Sequence, residues 1–573
     1  MNLANLGKAG LLVAQNRLQT AGHNINNAAT AGYSRQTVLS QTAGATPTSG
    51  GWIGRGVQAV SVQRSYDNFL QNQLTSSQTR GAALKTYGDQ ISQVNNLVAD
   101  RTVGISPGIQ KFFDALDAVA SAPADVAARQ ELIGQANSLA GQIRDANAFL
   151  DSQRANVNTQ IDTTVSQVNS YLDRIQDLNR QITTAKATTP DQPPNDLLDQ
   201  RDQLAAELGQ LADVKVYEQD DRFNITIGNG QTLIGGDTVY HLETHPSKAD
   251  PSRLAVAYTV PGAGGTPQPV EMQDSQITGG KLGGLLTFRS DALDATQNDL
   301  GRIALGISVA LNKQHEQGFD LSGTQGGQFF NVGTPKVVGN EKNSAGAGTP
   351  AAAYTALDSS LSLDDSLNEL SKITNQDYRV EFDGTNYKVT RVPEGTAISP
   401  TVNGTKLSFD GVEIETAGMT PAAGDSWLIQ PTRDAAAAMT VAVTDPAKVA
   451  AAGWDPDANG GAGGPAGTAN GDNALALAAL RNTKVLANGT LGMNEAYSQL
   501  VNTVAVKTQQ NTTAQKAQET LISQNYSAQQ AVSGVNLDEE YINLQQYQEQ
   551  YRAAARLIDT ASTLFDTLLA LRS

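Results

Sequence analysis

Four histidines and no cysteine bound the side-chain chemistry open to this chain. Without thiols there are no disulfides, no thiolate metal sites and no thiol catalysis. His241 and His245 are spaced like a metal-binding pair, and positions four apart share a face on a strand as on a helix. The segment VYHLETHP therefore leaves a metal pair open as a short motif, although its Glu is misplaced for H-E-x-x-H. Asp455, Asp457, Asn459 and Gly460 match the opening of a calcium loop, but Ala466 occupies the position where such a loop needs a bidentate Glu. An acidic surface loop is the plainer reading. Gly228-Asn229-Gly230 lacks the third glycine and the following helix of a phosphate-binding turn, and reads as a hairpin. Asp220–Asp221 and Asp364–Asp365 read as solvated loop charges, because adjacent strand residues face opposite ways. His315 reads as a cation closing a helix, where the dipole favours it, and His23 as a structural or interface residue. No catalytic, cofactor or metal residue is assigned, and the chain is expected not to be an enzyme.

Composition narrows the classes further. The 573 residues carry a formal net charge of −17, and only 5% are aromatic. Such a length suggests three to four domains. The acidic balance, without any Lys/Arg cluster, argues against nucleic acid and against anionic membrane surfaces. Ala, Asn, Gln, Ser and Thr are abundant, which favours helices packed through small side chains. The N-terminus does not read as a secretory signal, since its longest apolar run is Gly10–Ala14, and none is expected. No stretch approaches the roughly 20 apolar residues of a membrane span, so no membrane insertion is expected.

The elements that must position these residues follow from periodicity. A first helix is predicted over Asn2–Ile25, with Ala4, Gly7, Leu11, Ala14, Leu18, Ala21 and Ile25 as a heptad seam. Half of that seam is Gly or Ala, so a partner helix could come close. His23–Gln36 breaks the pattern, and Thr42–Gly56 reads as loop or extended chain. Helix resumes near Tyr66, with Phe69, Leu70 and Leu74 on its face, and again over Gly108–Ser121. A long helix is predicted over Ala124–Lys186, with Val157, Ile161, Thr164, Val168, Tyr171, Ile175, Leu178 and Ile182 as a second seam. Pro190, Pro193 and Pro194 end it. Asp196 is read as the cap of the next helix, which reaches Leu211. Strands are expected over 213–272, helix over Leu285–Gln314, and strand and loop over 318–471. Helix dominates from Ala474 onward. The last helix starts at Asn536, with Glu539 three residues on and Asp538–Glu540 at the positive end of its dipole. Its seam is Leu544, Tyr547, Tyr551, Ala554, Ile558, Ala561, Phe565 and Leu568. Periodicity alone does not name the partner of either terminal seam: a core bundle and packing between subunits both satisfy it.

The predicted class is therefore α+β and multidomain. Residues 1–60 with 530–573 form a terminal coiled-coil unit. Residues 61–330 with 474–529 form a long-helix bundle with a β subdomain at 213–272. Residues 331–473 form a β-rich outer unit. A concentric layout, in which the chain ends pair and the middle projects outward, explains this order.

Ala21–Gln36, A-G-H-N-I-N-N-A-A-T-A-G-Y-S-R-Q, resembles the N-terminal signature of bacterial flagellar rod, hook and hook-associated proteins. Its assembly residues here are Asn24, Ile25, Asn26, Asn27, Gly32, Tyr33, Ser34, Arg35 and Gln36. The run Gly32–Gln36 is similar to the hook-associated protein 1 family, which commonly has Ala and Pro where this chain has Asn27 and Ala31. Gly279–Phe330, Gly424–Ala435 and Ser533–Leu569 resemble the inner domain, the outer β-domain closure and the C-terminal helix of that family. The resemblance does not extend to Asn340–Leu370 or to the Gly-rich loop after Trp454.

The resemblance implies a ring of copies between hook and filament, exported unfolded by the flagellar type III apparatus without a cleaved signal. The partners it implies are the chain itself, the hook protein, hook-associated protein 3, and an export chaperone on the C-terminal helix. The terminal seams, through Leu11, Leu18, Ile25, Leu544, Tyr547, Tyr551, Ile558, Phe565 and Leu568, are then expected to pack between subunits. A secreted coiled-coil adhesin or effector is the alternative reading.

Overall fold

The structure, a computed structural model, describes residues 3–99, 104–261 and 267–571. Helix α1 (Leu3–Asn27) opens the chain. Strands β1 (Gln36–Thr42), β2 (Ala45–Thr48), β3 (Gly51–Gly54) and β4 (Val57–Arg64) follow. β1 pairs antiparallel with β4, and β2 with β3. The expected break at His23 comes later, because Asn27 Nδ2 donates to the His23 carbonyl at 3.0 Å and holds the last turn in register. Thr42–Gly56, read as loop or extended chain, contains the β2–β3 hairpin.

Helices α2 (Asn68–Val98), α3 (Ile105–Ser121), α4 (Val126–Thr188) and α5 (Asn195–Leu211) build a rod. The 63 residues of α4 span about 95 Å at 1.5 Å per residue. Its core stripe, Leu132, Leu139, Ile143, Leu150, Val157, Ile161, Val168, Ile175 and Ile182, is fully buried, as spacings of three and four require. Three sequence assignments shift. Leu172 takes the core place given to Tyr171, which is half-buried and donates its hydroxyl to Glu207 at 2.9 Å. Phe69 faces solvent at the start of α2. Pro194, not Asp196, flanks the start of α5.

The subdomain carried on α4 has strands β5 (Val214–Gln219), β6 (Arg222–Ile227), β7 (Gln231–Gly235) and β8 (Thr238–Val239) in one sheet. A second sheet holds β9 (Leu242–Pro246), β10 (Leu254–Pro261) and β11 (Pro267–Glu271). Asp220 and Asp221 make the two-residue turn between β5 and β6, with φ of 51° and 63°. Positive φ at both central residues is the hairpin turn that matches strand twist, and both aspartates are exposed there, as loop charges.

Helices α6 (Gly280–Phe288) and α7 (Asp294–His315) are joined by one π-turn at Arg289–Leu293. Gly301 lets α7 meet the outer unit: a Cβ there would lie 1.7 Å from the Thr432 carbonyl oxygen. The outer unit contains α8 (Leu363–Ser371) and the short α9 (Ala435–Ala438) and α10 (Ala458–Gly461). Asp364 and Asp365 lie in the first turn of α8, capped by Ser362, and not in a loop. A five-stranded and a four-stranded sheet enclose Tyr378, Val380, Leu407, Val412, Ile414, Trp427 and Ile429 in a core of their own.

A buried ion network fastens this unit to the rod. Arg433 donates to Asp294 at 3.0 Å, to Asn298 at 2.8 Å, and to Asp377. Arg154 from α4 pairs with Asp294 at 2.7 Å.

The chain returns through α11 (Asp472–Ala479) and α12 (Met493–Ser533) to α13 (Leu537–Ala570). α12 runs back along α2: Asn511 donates to the Leu84 carbonyl at 3.0 Å and Asn525 to Ser77 at 2.6 Å. Among the described residues no helix is long and apolar enough to cross a membrane.

Candidate assembly interface

The two ends of the chain pair with each other. α1 and α13 lie antiparallel, with Gly7 facing Ala554 and Ile558, and Gly10 facing Ala554. A Cβ at Gly7 would stand 2.7 Å from Ile558. Small residues thus set the close approach that the seam composition implied. Farther along, Arg17 lies over the Tyr547 ring and donates to Gln550 at 3.1 Å.

The seam residues divide. Gly7, Ala14 and Ala21 on α1 and Ala554 and Ala561 on α13 are buried. Leu11, Leu18, Ile25, Leu544, Tyr547 and Ile558 are half-buried. Tyr551 is exposed, and Phe565 and Leu568 are 60% and 65% exposed. The small residues close the helix pair, and much of the large apolar surface points outward.

The signature residues form the joint between this helix pair and the rod. Asn24, 1% exposed, acts as a surrogate strand neighbour. Its Nδ2 donates to the Gln36 carbonyl and its Oδ1 accepts from the Gln36 amide, both at 2.9 Å. Tyr33 donates its hydroxyl to the same Oδ1 at 2.8 Å, and His23 Nδ1 lies 2.9 Å from that hydroxyl. Burial, then the charge of Asp196, pushes the Tyr33 phenol up from its usual range. Gly32 turns with φ of +78°, and a Cβ there would strike Gln203 on α5. Asn26 is exposed on the outer side of α1.

Three anchors extend from this turn. The Ser34 amide donates to Asp199 at 2.8 Å, and Gln36 Nε2 to Asp196 at 2.8 Å, tying the turn to α5. Arg64 at the end of β4 donates to Asp199 at 2.8 Å and Asp202 at 2.6 Å, and its guanidinium lies 4.0 Å over the Tyr66 ring. Burial pushes both aspartates above the usual carboxylate range, against the pull of Arg64. Arg35 reaches the far end of the sequence: Nε donates to Glu540 at 2.8 Å, and Nη1 lies 3.1 Å from Glu539. Its amide donates to the Ser533 carbonyl at 2.8 Å. Beside the joint lies a cleft of about 600 Å³ between the Thr30–Tyr33 turn and α4 and α5.

Sequence reading placed the signature but missed Arg64, Asp199 and Asp202. The spacing of Asp199 and Asp202 on one helix face was the available signal. The other candidates do not converge. His241 bonds Asp173 at 2.9 Å, whereas His245 Nδ1 lies 2.8 Å from the Pro246 carbonyl. Among the described residues no group of three His, Cys, Asp or Glu side chains could hold a metal ion. His315 is not a solvated helix-end cation. It is fully buried, its Nε2 accepts from the Ala450 amide at 2.8 Å, and its Nδ1 meets the Gly327 carbonyl at 2.7 Å. That pattern requires neutral imidazole, and burial pushes its pKa down. Asp455 accepts from the Asp457 amide at 2.9 Å in its own loop.

The two end helices thus pair beside a helical rod, with β-rich matter inserted mid-sequence. Residues 91–330 match the family description of the flagellar hook-associated protein FlgK helical domain. Residues 354–431 match the D2-like domain of flagellar hook-associated protein 1, and residues 527–571 the C-terminal region of the flagellar basal body rod FlgEFG proteins. Flagellar hook-associated protein 1 of Salmonella typhimurium is 40% identical over 576 residues, covering 100% of both chains. That of Escherichia coli K12 is 39% identical over 574 residues, with the same coverage. A solved structure of the flagellar hook junction protein FlgK from Burkholderia pseudomallei is similar with a TM-score of 0.71 at 30% identity, covering 81% of this chain and 100% of that one. The chain belongs to the flagellar hook-associated protein 1 family.

Proposed function

We propose that this chain is a structural subunit of the bacterial flagellum, building the junction between hook and filament by packing of its terminal helices. One observation carries the reading beyond family membership. The α1–α13 pair is closed inside the chain by Gly and Ala, while Leu557, Leu564, Phe565, Leu568 and Leu569 stand exposed on α13. Each such side chain, if fully covered, contributes roughly 1.5–3 kcal/mol, and a lone molecule cannot collect it. Neighbouring copies in a ring would.

The finer assignments extend this reading. The ring contacts the hook protein on one side and hook-associated protein 3 on the other. The exposed apolar face of α13 is the surface an export chaperone would hold before assembly. The chain leaves the cell by the flagellar type III route, without a cleaved signal peptide, and works outside it. The signature Asn24–Gln36 sets the angle between the helix pair and the rod, so its assembly role is to present the seam to neighbours. The joint's charged groups are engaged with one another, in keeping with a structural rather than an enzymatic part.

Deletion of the gene tests the reading. Cells that build hooks, lack filaments and release filament subunit into the medium are expected; normal filaments would overturn it. The alternative of a secreted adhesin predicts a discrete soluble oligomer by light scattering and intact filaments in the deletion strain.

A further inference from the structure

The β2–β3 hairpin ends in the most exposed large aromatic of the terminal region. Trp52 is 75% and Ile53 52% exposed. Its direction is set by the strands beneath it. β1 starts at Gln36 beside Asn24, passes Arg17 through Ser40 at 2.7 Å, and gives way to the hairpin near Gly56, which packs against Leu6 and Ala9. It therefore runs down α1 toward Leu3, and the hairpin continues that way for about 13 Å, four residues per strand.

α13 also extends past α1. Since Gly7 faces Ala554 and Ile558, antiparallel packing brings Leu3 level with about Thr560. The segment Ser562–Ala570 then runs about 13 Å beyond the described start of α1. It carries Leu564, Phe565, Leu568 and Leu569, all exposed. The hairpin tip and this overhang lie at the same level along the helix pair. They do not cover each other within one molecule: Trp52, Ile53, Leu564, Phe565, Leu568 and Leu569 all stand exposed.

Charge fits as well as level. From Gln36 to Tyr66 the chain has Arg55 and Arg64 but no acidic residue. From Leu557 to Leu571 it has Asp559 and Asp566 but no cation. Arg55, Asp559 and Asp566 are all exposed. Apolar knob meets apolar stripe, and the rim charges are opposite.

We propose that the β2–β3 hairpin of one copy docks on the α13 overhang of a second copy of this chain, with Trp52 and Ile53 against Leu564, Phe565 and Leu568, and Arg55 near Asp566. The contact is continuous with the α1–α13 seam and links neighbours around the ring. It rests on the junction reading above.

The test uses the full-length chain in cells, where the absence of native cysteine makes cross-linking clean. Ile53→Cys combined with Leu568→Cys, in isolated hook–junction structures treated with an oxidant, is expected to give a ladder of covalent multimers of this chain. Each single substitution should give no ladder. Filament-bearing hooks that carry the double variant and yield no ladder, or that link it to a different protein, would overturn the docking while leaving the junction reading intact. Hooks that never acquire the unaltered chain would instead overturn the junction reading. A second pair guards against poor assembly of the cysteine variant. Arg55→Glu and Asp566→Arg should each lower the fraction of filamented hooks several-fold, and the two together should restore most of it. Two neutral single swaps would refute the contact.

Discussion

Arg35 and Glu540 lie 505 positions apart in sequence and meet at 2.8 Å, with the Glu540 carboxylate almost wholly buried. Arg35→Ala would strand that carboxylate. Breaking one side of a buried pair typically costs about 3 kcal/mol or more. Hydrogen exchange is expected to accelerate over Leu3–Asn27 and Leu537–Ala570 while α4 amides hold their protection. Arg35→Lys should recover only part, because an ammonium cannot fork between Glu539 and Glu540. Unchanged exchange in Arg35→Ala would show that the pair does not hold the joint.

Glycine tolerance should split sharply by position. Gly301→Ala drives a methyl into the Thr432 carbonyl, where backbone must move, and overpacking of this kind costs about 1–3 kcal/mol or more. Gly134, exposed inside α4, has nothing within 4 Å of its missing Cβ. Gly134→Ala should stabilise by roughly 0.5–1 kcal/mol through helix propensity. Urea titration of both variants measures the contrast, and equal midpoints would contradict it.

His315 makes stability depend on pH. Its folded pKa lies below the unfolded value of 6.5, so the unfolded chain binds the proton first. The stabilisation is complete above pH 6.5 and declines as pH falls toward the depressed folded value. Melting temperatures at pH 7.5 and 5.5 should therefore differ more for the native chain than for His315→Gln, which cannot titrate. An equal drop in both would rule the residue out as a source of acid sensitivity.

Phe565 and Leu544 separate folding from assembly. Phe565→Asp changes an exposed position and should alter the stability of the isolated chain by less than about 0.5 kcal/mol, yet abolish filament formation. Leu544→Asp, at a half-buried site, should weaken both. Normal swimming by a Phe565→Asp strain would remove the outward face of α13 from the assembly surface.

The long α4 stripe and the cap at Asn536 were legible because each is written in local spacing; in the terminal helices the same spacing picks out the small buried residues Gly7, Ala14, Ala21, Ala554 and Ala561 but not that Phe565 and Leu568 face outward. Asn536 accepts from the amides of Asp538 and Glu539 as its sequence predicts. The signature was legible by resemblance, but its neighbours were not. Arg64, Asp199 and Asp202 sit far apart in sequence, and only the fold brings them together. The β2–β3 hairpin was hidden because Thr46, Pro47 and Gly51 carry no alternating apolar pattern. His315 misled because a histidine at the end of a helix looks the same in sequence whether solvent or the Ala450 amide meets it.

The pairing of α1 with α13 also orders events in time. α1 is synthesised before α13, and at typical rates of about 5–20 residues per second it waits roughly half a minute to two minutes for its mate. Truncation anywhere upstream leaves α1 permanently single. The small-residue stripe of α1, with Gly7, Ala14 and Ala21 buried in the intact chain, then has no α13 to close against.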